Sequence, residues 1–176
     1  NPYSKAASET VDTWNSFAFN HIALKLLGLG NGGHTNSACN AVVEGSLGST
    51  PGWLERVVSS AQSAIELESA QTSGPIYTDG RPRSAHSYYT PFWIHKANRA
   101  FLFGQGAVWS GGGVTPDMFA YVDGASDWEN TAGNYQIWGT LLGTQTQSTR
   151  AICKHFVTED VYYTAQPGGS CHLYRW

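Results

Sequence analysis

The pattern of hydrophobic and polar positions divides the chain into two unlike parts. From Ser4 to about Leu27, residues Val11, Trp14, Phe17, Ala18 and Ile22 share one face of a helix, with Leu26 one turn on. The run Gly28-Leu29-Gly30-Asn31-Gly32-Gly33 ends that helix. Within it, His21-Ile22-Ala23-Leu24 reads alternatively as a short strand. A brief helical turn from Asn36 or Ser37 would carry Cys39, Val42 and Val43. A second helix is predicted where Ser49 or Thr50 can cap, Pro51 suits the first turn, and Leu54, Val57, Val58, Ala61, Ala64 and Ile65 recur at three and four residues. Gly74-Pro75 closes it.

Beyond Gly74 the periodicity shortens to β-favouring runs between Gly, Pro, Asp and Asn. Strands are predicted at 76–78, 87–94, 100–103, 107–109, 119–122, 135–142, 151–156, 161–164 and 171–174. The expectation is a single α+β domain over 1–176, mainly helical in 1–75 and a loop-rich antiparallel sheet in 76–176, with no internal repeat or linker.

Composition narrows the function classes. A chain of 176 residues suits one domain with a sizeable core. Tyr3, Trp14, Phe17, Phe19 and Trp53 are the aromatics before residue 76; the remainder of the seven Trp, nine Tyr and seven Phe lie beyond it, in the strand-rich part. Charged residues make up 13%, a balance typical of secreted or surface-displayed proteins. The net charge of -3 and the lack of clustered Lys and Arg exclude a nucleic-acid partner. Apolar runs fall short of the roughly 20 residues of a membrane helix, and the first residues lack a basic-then-apolar targeting pattern, so no membrane insertion is expected. No Asn sits in an Asn-x-Ser/Thr glycosylation pattern, which favours a bacterial or viral secreted product. Cys39, Cys153 and Cys171 permit one disulfide in an oxidising compartment and leave one thiol over.

Three constellations bear on chemistry. His34-Thr35-Asn36-Ser37-Ala38-Cys39 would place a thiol in the opening turn of a helix, where the dipole favours thiolate. With His86 as base (or His95) and an Asn or Asp as orienter, Cys39 would be the nucleophile of a secreted cysteine hydrolase. A buried or bridged cysteine explains Cys39 equally well. The six histidines show no zinc-site spacing. The third constellation is a polar surface in which Asp117, Asp123, Asp127, Glu129 and Asn130 offer oxygens to sugar hydroxyls or to calcium, while Trp109, Trp128, Tyr135 and Trp138 supply flat stacking faces. Ordinary turn chemistry with the Trp residues packed inward accounts for the same residues.

The order of several short words resembles endostatin-like domains, a variant of the C-type-lectin-like fold. They are His21-Ile22-Ala23-Leu24, Ala38-Cys39, Leu47-Gly48-Ser49-Thr50, Trp53-Leu54, Ser59-Ser60, Pro75-Ile76, Pro91-Phe92-Trp93, Val108-Trp109-Ser110-Gly111, Asp127-Trp128 and Leu141-Leu142-Gly143 before Cys153. The resemblance implies helices flanking a loop-rich antiparallel sheet, and a Cys39–Cys171 bridge or, because the family's second cysteine is missing here, Cys153–Cys171. The lectin calcium motifs are only echoed by Thr115-Pro116-Asp117 and Asp127-Trp128-Glu129-Asn130. The expected function is an extracellular or cell-surface recognition or adhesion module, contacting a glycan or a surface protein through Trp109, Asp117, Asp123, Asp127, Trp128, Glu129 and Asn130. Two alternatives stand beside it: the Cys39 hydrolase, and an interaction subunit of a larger surface assembly such as a pilus, fibre or virion.

Overall fold

The computed structural model describes residues 17–30, 39–61, 76–84, 91–103, 118–129, 152–155, 157–165 and 172–175. Ten strands run through them: β1 (Phe17–Asn20), β2 (Lys25–Leu29), β3 (Val42–Ser46), β4 (Gly52–Val57), β5 (Phe92–Ile94), β6 (Arg99–Phe103), β7 (Met118–Val122), β8 (Ile152–Lys154), β9 (Val161–Ala165) and β10 (His172–Arg175). They form three antiparallel meanders, each pairing strands in chain order: β1 to β4, β5 to β7 and β8 to β10. No helix occurs among the described residues. The expected α+β class is therefore wrong, and with it the C-type-lectin-like arrangement of N-terminal helices before a sheet.

Residues 4–16 of the first predicted helix lie outside the described residues, and local chemistry explains why the described parts of both predicted helices are strand. In the first, Phe17-Ala18-Phe19-Asn20 alternates half-buried, buried, exposed and buried, a period of two. The Asn20 carboxamide oxygen then accepts from the N–H groups of Ile22 (3.2 Å) and Ala23 (3.1 Å), a side-chain-to-backbone turn that competes with helix. In the second, β3 pairs Val43 with Glu55 but Val42 with Val57, so Arg56 is an extra bulged residue. The bulge brings Leu54 and Val57 to one face three residues apart, a spacing that imitates a helix. The turn expected around Asn36 to Val43 gives way to β3 from Val42. The rest of the predicted second helix, residues 62–75, lies outside the described residues, as do the predicted strands 107–109 and 135–142.

The strands predicted at 100–103, 119–122, 151–156, 161–164 and 171–174 correspond to β6 to β10, and of the predicted strand 87–94 the described residues 91–94 hold β5. Ile76 makes a single bridge to Pro82.

One core joins the first two meanders. Ala18, Leu27, Leu29, Val42 and Val57 from the first face Trp93, Ala100, Leu102, Phe119 and Tyr121 from the second, and Trp128 packs with them. Each fully buried large side chain here contributes about 1.5–3 kcal/mol of transfer free energy. Strands of equal rank lie side by side across this contact, β1 beside β5 and β2 beside β6. The two meanders thus stack face to face.

The stacked hairpins share a short repeated motif at their turns, which the reading of the chain as free of internal repeats did not single out. The β1–β2 connection is His21 to Leu24, closed by the Asn20–Lys25 pair; the β5–β6 connection is His95 to Asn98, closed by Ile94–Arg99. Both have the form His-x-Ala-x-Lys/Arg. Both end on a left-handed residue, Leu24 at φ 51° and Asn98 at φ 50°. The β8–β9 connection also begins on a histidine, His155, and carries the third such residue, Glu159 at φ 61°.

Candidate functional site

The acidic and indole cluster expected to form an open contact surface is engaged within the protein. Trp128 is 5% exposed and donates its indole N–H to the Asn40 carbonyl at 3.3 Å. Its ring meets Phe119 edge-on at 6.5 Å and lies so close to Gly30, itself at φ 57°, that a side chain there would touch it. Asp127 receives Arg81 on both oxygens (3.1 Å each) and accepts the Trp128 N–H at 2.8 Å. Glu129 grips Arg99 through both carboxylate oxygens. Asp123 meets Lys25 at 3.3 Å. Trp109, Asp117 and Asn130 lie outside the described residues. The three described carboxylates of this cluster, Asp123, Asp127 and Glu129, each face a cation of the chain, and among the described residues no three His, Cys, Asp or Glu side chains converge as metal ligands.

Lys25 also reaches Glu44 at 3.3 Å, and the bulged Arg56 clasps Glu44 with its Nε at 2.9 Å and a second nitrogen at 3.1 Å. Burial alone would raise the Glu44 carboxyl, but the Arg56 and Lys25 partners outweigh it and hold it below the usual range. Nearby, burial pushes Tyr121 up to about 12 despite the Arg56 guanidinium, so its hydroxyl stays protonated and donates to the Ala125 carbonyl at 3.0 Å. This network ties β2, β3, β4 and the loop after β7 together.

Asn40 is fully buried and saturated. Its amide nitrogen donates to Ser60 Oγ and the Pro82 carbonyl, both at 2.8 Å, while its oxygen accepts from the Ser60 N–H at 2.7 Å and the Ser59 hydroxyl at 3.1 Å. Such saturation is what a buried polar side chain requires, and it marks Asn40 as an architectural residue. The neighbouring Cys39 is a buried thiol, 3% exposed. That burial is unlike an accessible nucleophile. His86, its intended base, lies outside the described residues, as do Cys171 and the Cys153 side chain of the expected bridges.

What the structure does bring together is the set of histidine-led turns. The His21 and His95 rings stand 6.4 Å apart, so the first two turns share one end of the stack. Glu159 reaches across from the third: its two oxygens accept the His95 and Lys96 N–H groups, each at 2.7 Å, and Lys154 stands 3.5 Å away. Lys96 Nζ in turn donates to the Thr158 carbonyl at 3.4 Å. Burial would raise the Glu159 carboxyl, yet the two backbone donors and the Lys154 ammonium keep it below the usual range. At His155, Nδ1 accepts the Thr158 N–H at 3.1 Å, which leaves the ring proton of the neutral imidazole on Nε2.

The result is a rim of three turns bearing His21, His95, Lys96, His155 and Thr158, fixed by sheets behind and by the Glu159 clamp between. His95, Lys96, His155 and Thr158 are exposed, and His21 is partly so. None of these was a principal candidate from sequence. The signal that would have found His21, His95 and Lys96 is the repeated His-x-Ala-x-Lys/Arg, legible once the two hairpins are aligned; the third turn does not carry it.

No family model, curated protein or solved structure matches the chain.

Proposed function

We propose that the protein is a recognition module whose contact surface is this rim, and that its ligand is a glycan presented outside the cell or on its surface. The observation that carries the reading is the convergence of three histidine-led turns into one solvent-facing array on a rigid sheet scaffold. Binding residues concentrate on loops that such a scaffold positions. Imidazole N–H and nitrogen lone pairs, the Lys96 ammonium and the Thr158 hydroxyl supply the mixed donors and acceptors that sugar hydroxyls need. The exposed His155 and Thr158 side chains are already ordered, the first by the Thr158 backbone N–H and the second by donating its hydroxyl to Asp160, which lowers the entropy lost on binding.

A glycan-array screen with and without EDTA, followed by titration of the best ligand, tests this. His95→Ala is expected to weaken binding about tenfold, the loss of one or two hydrogen bonds. Binding that survives the loss of His21, His95 and His155 together would refute the rim as the site. An array on which no glycan binds, beside a protein retained in a pull-down, would move the ligand class to a partner protein.

A further inference from the structure

In the three turns and the strand ends beneath them, the fixed charges of the described residues cancel. Glu159 answers Lys154, Asp123 answers Lys25, Glu129 answers Arg99 and Glu44 answers Arg56. Beyond these pairs stands one charge of each sign: the Lys96 ammonium donates to the Thr158 carbonyl, and the Asp160 carboxylate accepts the Thr158 hydroxyl at 2.7 Å. The histidines therefore decide the net sign of the rim. Histidine is the side-chain type that gains charge between about pH 8 and pH 5.

His21 and His95 are placed to share one anion. Their ring centroids are 6.4 Å apart and the rings are tilted by 52°. Once each ring turns a nitrogen toward it, a single anionic oxygen accepting from both at about 2.8 Å fits that separation. Glu159 does not fill this role, because both of its oxygens are spent on the backbone N–H groups of His95 and Lys96. Among the described residues no carboxylate comes within ion-pair reach of the His95 ring. His155 on the third turn keeps its Nδ1 as acceptor of the Thr158 N–H. Charging both rings of the pair sets two like charges about 6 Å apart, with the Lys96 ammonium on the same turn, and an anion between them relieves that repulsion.

We infer that the glycan held by this rim is an acidic one, and that its carboxylate or sulfate group is seated between the His21 and His95 imidazoles. The inference rests on the rim being the contact surface proposed above; it adds the class of sugar and the condition under which it is held. Acidification charges the pair and strengthens binding, and a return to neutral pH releases the ligand. The scaffold survives the change. The Glu159 carboxyl, held below the ordinary 4.5, keeps its charge and its clamp on the second turn at about pH 5.5.

Glycans bearing sialic acid, a uronic acid or sulfate, each arrayed beside its neutral parent and read at about pH 5.5 and pH 7.5, test the inference, with titration of the best acidic ligand at low and high salt. The expected result is a preference for the acidic member at the lower pH, with an affinity about tenfold or more above that at the higher pH and weakened by salt. His21→Gln and His95→Gln, which keep a polar group and cannot gain a charge, are each expected to erase most of that ratio, whereas Lys96→Gln weakens binding at both pH values and keeps the ratio. An acidic glycan bound no better than its neutral parent, or equally at both pH values, overturns the inference while binding that is lost with His21, His95 and His155 together still upholds the rim as a glycan site. A pH response undiminished in the His21→Gln/His95→Gln double variant overturns the pair as the seat. An array on which no glycan binds at either pH overturns the inference and the glycan reading together.

Discussion

Removing the Asn40 carboxamide would leave the Ser60 N–H and the Pro82 carbonyl without their partner in the interior, in addition to losing the bond from Ser59. Asn40→Ala is therefore expected to cost about 3 kcal/mol, measured by urea denaturation, well above the loss of a single exposed hydrogen bond. Gly45→Ala tests a different contact. A methyl group there would stand 2.8 Å from the Trp53 ring, so the indole must shift, at a cost of about 1–3 kcal/mol and with a change in tryptophan emission. At this scale the sequence was legible where chemistry is local. Asn20 is a turn-forming residue by type, and the tryptophan-centred loop had an inward-packed reading from the start. What Trp128 packs against was not legible, because its partners Asn40 and Gly30 lie far away in the chain. Nor could Asp123, Asp127 and Glu129 be recognised as ion-paired, since Lys25, Arg81 and Arg99 reach them only after the meanders form.

Strand β3 and the β8–β9 turn are the elements on which the acid response depends. Glu44 and Glu159 both have carboxyls held below the ordinary value of 4.5. Their stabilising contribution is complete above that unfolded-state value and is lost as pH falls through the lower folded-state values. A thermal midpoint followed against pH is expected to fall steeply below about 4.5. Glu159→Gln keeps one acceptor oxygen but loses the charge. It is expected to lower stability at neutral pH by about 2 kcal/mol and to flatten part of the acid decline. The strands of the second and third meanders were readable in advance, being short β-favouring runs between turn residues. Those of the first were not: the Arg56 bulge breaks the period-two alternation of β4 into a helical spacing, and the apolar set from Val11 to Leu26 fits a helix by spacing alone. A comparison of turns rather than of strands would have exposed the repeat.

For the molecule as a whole, every strand pairing among the described residues joins neighbours in the chain, and the meanders meet through side chains and turns. The fold class could not be read from the sequence because it is decided by that stacking, and the resemblance to a lectin-like domain matched short words without matching the stack. The Trp128–Asn40 hydrogen bond spans 88 residues, whereas the hairpins close over a handful. Loop closure of that length is costly before other contacts reward it, so the hairpins are expected to precede it in folding. Trp128→Phe should then leave the refolding rate nearly unchanged and accelerate unfolding, with about 1 kcal/mol of lost stability appearing almost wholly in the unfolding limb of a stopped-flow series. An equal effect on both limbs would mean that the indole docks before the rate-limiting barrier. The bond that fastens the late loop to the first meander would thus act as a latch, setting how long the native state lasts and not how fast it is reached.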